Sequence, residues 1–143
     1  MKLIAALYCS LLSLTVYANP EHNFYLDLGW HTPAGVEIAL NRAASIVAND
    51  PDARVEILVH GNDIRLFASK MTQRRPLIVE HGANLAAEGK VVFRVCEHAL
   101  VYKSLDLDDL PSYFGVVYYV PERIKQMRDQ GYSNVWSVST GAE

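Results

Sequence analysis

Hydrophobic and polar positions divide the chain into short apolar runs and longer segments with one apolar face. The short runs predict five strands, over residues 23–28, 54–60, 90–96, 115–120 and 134–138. The segments between them predict helices over residues 35–48, 76–88, 97–103 and 121–130, with a shorter helical piece that ends at Phe67. Because strands and helices alternate, the pattern predicts an α/β fold: a three-layer α/β/α sandwich around a mostly parallel five-stranded sheet.

The N-terminus has the layout of a secretory signal peptide. Lys2 is followed by an uncharged apolar run from Leu3 to Val16, and Val16-Tyr17-Ala18 is an acceptable cleavage site. The run is shorter than the roughly 20 residues that a membrane span needs. We therefore expect residues 1–18 to be removed, residues 19–143 to form one domain, and the protein to be periplasmic without a stable membrane anchor.

Charge and motifs exclude several classes of function. The chain has 13 basic and 16 acidic residues, so it lacks the basic surface that nucleic-acid binding requires. The sequence contains no G-x-S-x-G, P-loop, H-E-x-x-H or G-x-G-x-x-G motif. No nucleic-acid partner and no cofactor is expected.

Cysteine usage directs attention to a single thiol. Cys9 lies in the signal segment, so Cys96 is the one cysteine of the mature chain and has no intramolecular disulfide partner. Three interpretations of Cys96 remain open: a buried inert thiol, a thiol paired with another molecule, or a thiol used in chemistry.

The predicted strand ends bring possible reactive groups together. His60 ends the second strand and Cys96 ends the third, and in parallel sheets the carboxyl ends of strands form the functional edge. The start of a helix after Cys96 favours the thiolate, whereas the carboxylate of Glu97 opposes it. His98 and His60 could offset Glu97.

A metal site is a further interpretation of the same region. Its ligands would be Cys96, His98 and His60, with His81 as a possible fourth, and such a set suits zinc or copper. The C-x-H spacing is not a structural-zinc pattern, however, and no second cysteine remains. The sequence therefore favours no metal.

Four segments resemble proteins of the DsrE/DsrF-like family. They are residues 55–66 (VEILVHGNDIRL), 89–96 (GKVVFRVC), 107–111 (LDDLP) and 121–132, which begins PERI and ends QGY. The resemblance follows the family order over nearly all of the mature chain. It implies a flavodoxin-like α/β/α domain that assembles as a trimer or hexamer, with Cys96 carrying sulfur as a persulfide. It also implies that His60, Gly61, Asn62 and Arg65 line the pocket beside the thiol, where His98 is a further candidate.

Two functions follow as expectations. The first is a periplasmic sulfur carrier or relay component that exchanges sulfur with donor and acceptor thiols, more a carrier than a turnover enzyme. The alternative is an oligomeric module that binds a small ligand or a partner without covalent chemistry, with Cys96 structural. The aromatic cluster Tyr113, Phe114, Tyr118 and Tyr119 suits an oligomer interface as well as a core.

Overall fold

The structure, a computed structural model, describes residues 20–68 and 75–136. The elements in chain order are β1 (Asn23–Leu28), α1 (Pro33–Asn49), β2 (Arg54–Val59), α2 (Ile64–Phe67), α3 (Arg75–Ala87), β3 (Val91–Cys96), α4 (Glu97–Lys103), β4 (Phe114–Val117), α5 (Val120–Asp129) and β5 (Ser133–Trp136). The predicted signal segment, residues 1–18, lies outside the described residues. No helix in the described ranges is long and apolar enough to cross a membrane.

The five strands form one sheet in the order β4-β3-β2-β1-β5, and every pair of neighbours is parallel. β2 lies at the centre, and five of its six residues are buried. A strand buried on both faces needs a continuous apolar run, which is the pattern that Ile57, Leu58 and Val59 supply. The predicted α/β/α sandwich is confirmed.

Two apolar clusters cover the two faces of the sheet. The larger one packs α1 and α3 against side chains such as Ile57, Val59 and Phe93. The smaller one, on the face that α5 covers, contains Tyr25, Leu58, Cys96, Val120 and Met127. Alternation along β2 and β3 explains this division, because successive side chains point to opposite faces. Cys96 therefore lies on the α5 face of the sheet.

Most predicted boundaries agree with the structure to within two residues, but β4 differs. The predicted strand over residues 115–120 begins at Phe114 and ends at Val117, and Val120 already belongs to α5. Pro121 in the first turn of α5 explains the early start, since its fixed φ suits a helix start and it has no N–H for a strand ladder. The predicted fifth strand runs to Trp136, and its last two predicted residues lie outside the described range.

Candidate functional site at the carboxyl edge of the sheet

His60 and Cys96 lie at the same edge of the sheet, as the strand rule predicts. Val59 of β2 is in register with Val95 of β3, so the residues that follow them occupy neighbouring positions on the α5 face. Cys96 is the last residue of β3 and directly precedes α4. The edge thus brings an imidazole and a thiol into adjacent strands.

The thiol of Cys96 is shielded from solvent. The residue is 4% exposed and packs among apolar side chains that include Leu58, Val120 and Met127. Its Sγ lies 4.0 Å from the carbonyl oxygen of Tyr118, the outer limit for a weak S–H donor. A reagent therefore has little direct access to the thiol in this conformation.

The His60 imidazole is directed to β1 rather than to the thiol. Its Nε2 lies 2.6 Å from Oδ1 of Asp27, and the ring packs directly over Gly29, where a Cβ would come within 2.5 Å of it. Both side chains are partly exposed, which gives this edge an Asp27–His60 pair open to solvent. Sequence reasoning missed Asp27. Its signal was an acidic residue near the end of an otherwise apolar strand.

The turn after β2 holds the other residues that the resemblance implicated. Gly61 has φ +55°, and a Cβ there would lie 2.3 Å from the carbonyl oxygen of Gly29. Asn62 accepts a hydrogen bond through Oδ1 from Nζ of Lys103. Arg65, on α2, is exposed. Gly61 and Asn62 therefore tie the edge together, whereas Arg65 faces solvent.

Beside Cys96, His98 belongs to a small apolar groove. Its ring packs edge-on against Tyr118 at a centroid distance of 4.6 Å and lies 5.3 Å from the ring of Tyr119. The groove has a volume of about 460 Å³, and its other lining residues are Glu97, Val101 and Tyr102. His98 thus lies beside the thiol-bearing strand end, in contact with aromatic rings.

A second histidine–aspartate pair, which sequence reasoning also missed, lies inside the loops of this edge. Asp63 is fully buried and accepts two hydrogen bonds from His31, from the backbone N–H at 2.8 Å and from Nδ1 at 2.8 Å. The indole N–H of Trp136 donates to Nε2 of His31 at 3.0 Å. Because an indole N–H can only donate, we assign His31 as the neutral tautomer with its proton on Nδ1.

Burial dominates the acid–base behaviour of Asp63. It raises the pKa of the carboxyl above its ordinary value, although the hydrogen bonds from His31 act in the opposite direction. The network joins the loop after β1, the turn after β2 and the strand β5. Its position inside these loops indicates a role in holding the edge together.

The hypothetical metal ligands are not brought together. Among residues 20–68 and 75–136, no group of three or more His, Cys, Asp or Glu side chains is arranged to hold a metal ion. His81 lies on α3, which packs with α1 on the other face of the sheet from Cys96. The imidazole of His60 is hydrogen-bonded to Asp27.

Comparison with known proteins identifies the fold. A solved structure of a protein of unknown function, MTH1491 from Methanobacterium thermoautotrophicum, superposes with a TM-score of 0.72 at 15% sequence identity. The match covers 81% of this chain and 99% of that one. The two proteins share a fold. No family model and no curated protein matches the sequence.

Proposed function

We propose that this protein is a periplasmic, DsrE-like sulfur carrier that holds sulfane sulfur as a persulfide on Cys96. The observation that carries the proposal is the position of the thiol. Cys96 ends an inner strand of an all-parallel sheet, at the edge where such sheets bind their ligands, and the groove of His98 and Tyr118 lies beside it. The export signal and the family resemblance are the sequence-level support.

The chemistry needs only thiol–disulfide exchange steps. The Cys96 thiolate attacks the terminal sulfur of a polysulfide, a bond forms between Sγ and that sulfur, and the donor S–S bond breaks with its electron pair leaving on the shortened polysulfide. An acceptor thiolate then attacks the outer sulfur and releases the Cys96 thiolate. Sulfur moves at the same oxidation level in both steps, so no further oxidant or reductant is required.

Burial of the thiol suits a carrier in one respect. A persulfide held among Leu58, Val120 and Met127 is kept from chance contact with small thiols, whereas an exposed persulfide is reduced quickly. Transfer then requires a local opening around the thiol, which a donor or acceptor protein could promote by binding at the groove of His98 and Tyr118.

A second candidate function is favoured by the low exposure of Cys96 itself. Cys96 is 4% exposed, which is the degree of burial expected of an inert core cysteine. In that case the protein is an oligomeric binding module. Large exposed side chains near the groove support self-association: Val101 is 75% exposed and Tyr102 is 83% exposed.

Intact mass spectrometry on protein purified from the periplasm tests the first proposal. The protein is measured before and after exposure to polysulfide, with the Cys96→Ser variant alongside. We expect a mature mass that corresponds to cleavage after Ala18, and an addition of about 32 Da per sulfur in the wild type alone.

Two results would count against this function. A wild-type thiol that stays unmodified under polysulfide would favour the binding module, as would equal ligand binding and assembly by wild type and Cys96→Ser. A precursor that retains residues 1–18 would overturn the export proposal and leave the thiol chemistry to be judged on its own.

A further inference from the structure

Arg94 occupies an unusual position on the α5 face of the sheet. It lies in the middle of β3, and its head group extends across Gly115 of β4, so that a Cβ on Gly115 would come within 2.0 Å of Nη1. In the described ranges of the chain, its guanidinium makes no hydrogen bond or ion pair. The side chain is half-buried. A partly desolvated guanidinium without a partner is unfavourable, and an anionic ligand would relieve this cost.

Arg94 and Arg123 both line a second groove, formed by residues 116–119 and the first turns of α5. Arg123 is already paired. Arg123 binds the carboxylate of Glu56 in bidentate fashion, through Nε at 2.9 Å and Nη2 at 2.7 Å. Arg94 is therefore the cation that remains available for a ligand.

An available carboxylate faces the same groove. Glu122 lies in the first turn of α5, is exposed, and forms no ion pair with Arg94 or with any other group in the described residues. The groove thus presents one unpaired positive and one unpaired negative side chain. A dianion such as sulfate would meet the repulsion of Glu122, whereas a ligand that carries both charges would complement both residues.

We propose that this groove binds a zwitterionic amino acid or short peptide. The ligand carboxylate lies on the Arg94 guanidinium, and the ligand ammonium group lies toward Glu122. The groove has a volume of about 500 Å³, which accommodates a molecule of this size, and the side chains of Tyr118, Tyr119 and Gln126 complete its wall. The proposal is independent of thiol chemistry at Cys96.

Gly115 determines where the Arg94 head group can lie. The Arg94 head group occupies the space that any side chain at position 115 would need, so the glycine permits the guanidinium to lie over β4. Gly115→Ala would displace the head group and leave its charge in place. Position and charge can therefore be separated experimentally.

The test is a titration followed by chemical-shift changes in ¹⁵N spectra of the full chain. The probes are L-alanyl-L-alanine, which carries both charges, N-acetyl-L-alanine, which carries only the carboxylate, L-alaninamide, which carries only the ammonium group, and sulfate. We expect shifts around β3, β4 and α5 with the dipeptide, and affinity at least about tenfold weaker for each singly charged probe.

The variants assign the two charges. Arg94→Gln and Gly115→Ala should each weaken dipeptide binding about tenfold or more, and Glu122→Gln should reduce the dipeptide to the affinity of N-acetyl-L-alanine. Arg42→Gln, at an exposed position on α1, removes one positive charge elsewhere and should leave binding unchanged. Circular dichroism of each variant confirms that it is folded.

Several results would overturn the proposal. They are an absence of dipeptide binding up to about 10 mM, equal affinity for dipeptide and N-acetyl-L-alanine, or full binding by folded Gly115→Ala. A groove closed by a second copy of the chain would appear as shifts at β3 and α5 on dilution of the protein without ligand. That result assigns the groove to self-association and also overturns the proposal.

Discussion

At the scale of single residues, the turn after β2 depends on close backbone approach. The carbonyl oxygen of Gly29 accepts a hydrogen bond from the backbone N–H of Asn62 at 2.9 Å, and a Cβ on Gly61 would lie 2.3 Å from the same oxygen. The neighbouring His60 N–H bonds the carbonyl oxygen of Leu28 at 2.8 Å. The two loops of the candidate edge are thereby held together by their main chains.

Gly61→Ala should destabilise the protein by about 3 kcal/mol, because it combines a left-handed backbone with a collision against the Gly29 carbonyl. Gly89→Ala is the matched control. Gly89 also has positive φ, +73°, but a Cβ there meets nothing within 4 Å, so only the left-handed penalty of about 1 kcal/mol is expected. Urea unfolding measures both. Equal losses for the two variants would show that the contact with Gly29 is unimportant.

The buried Asp63 predicts a dependence of stability on pH. Because burial raises its pKa in the folded protein, the native state keeps this proton to higher pH than the unfolded chain does. Its contribution to stability is therefore complete below the ordinary pKa and is lost as pH rises through the folded pKa. The stability difference between wild type and Asp63→Asn should fall over that window.

Unfolding curves recorded from about pH 3 to pH 7 measure this difference. A difference between wild type and Asp63→Asn that grows with pH would mean that the hydrogen bonds from His31 outweigh burial.

At the scale of elements, the attachment of α5 to the sheet depends on polar groups as well as on apolar packing. Arg123 pairs with Glu56, whose side chain is only 9% exposed, and Nε of Arg128 donates to the hydroxyl of the fully buried Tyr25 at 3.1 Å. The carboxylate of Glu56 holds the pKa of Arg123 above its ordinary value. These two arginines link the helix to β2 and β1.

Arg123→Met should destabilise the protein by about 2 kcal/mol, because it leaves the Glu56 carboxylate desolvated without its partner. The double variant Glu56→Gln with Arg123→Met should recover part of this loss, since the uncompensated charge is then removed. Thermal unfolding of the two single variants and the double variant completes the cycle. Additive losses would show that the pair does not couple α5 to the sheet.

At the scale of the whole molecule, the exposed apolar side chains near the candidate edge are the best candidates for an oligomer interface. Val101, Tyr102 and Tyr118 are 75%, 83% and 65% exposed and line one groove. Patches of this kind mark interaction surfaces. We expect the trimer or hexamer that the family resemblance implies to bury them.

Tyr102→Asp should shift the protein to smaller species in sedimentation velocity, because it places a charge inside the proposed interface. Leu77→Asp is the control, since Leu77 is 68% exposed but lies on α3, away from the groove. The control should leave the sedimentation profile unchanged. Identical profiles for wild type and Tyr102→Asp would remove this surface from the proposed interface.

Prediction from the sequence succeeded where the determining interactions are local. Apolar alternation and turn residues are properties of short segments, so the predicted first and last residues of β1 and α4 agree with the structure. The α/β/α sandwich followed from the order of these elements. The edge shared by His60 and Cys96 followed from strand direction alone. Position 120 was misassigned because apolar Val120 suits a strand or a helix equally well, and Pro121 decided between them.

The sequence alone therefore determined the order of the elements, the parallel sheet and the edge on which its only thiol in residues 19–143 lies. Only the tertiary structure decided the environment of that thiol and the direction of each histidine. His60 turns to Asp27 and His31 to Asp63, partners that lie 33 and 32 residues away in the chain. Such choices depend on hydrogen bonds and packing between distant segments, which hydrophobic periodicity does not encode.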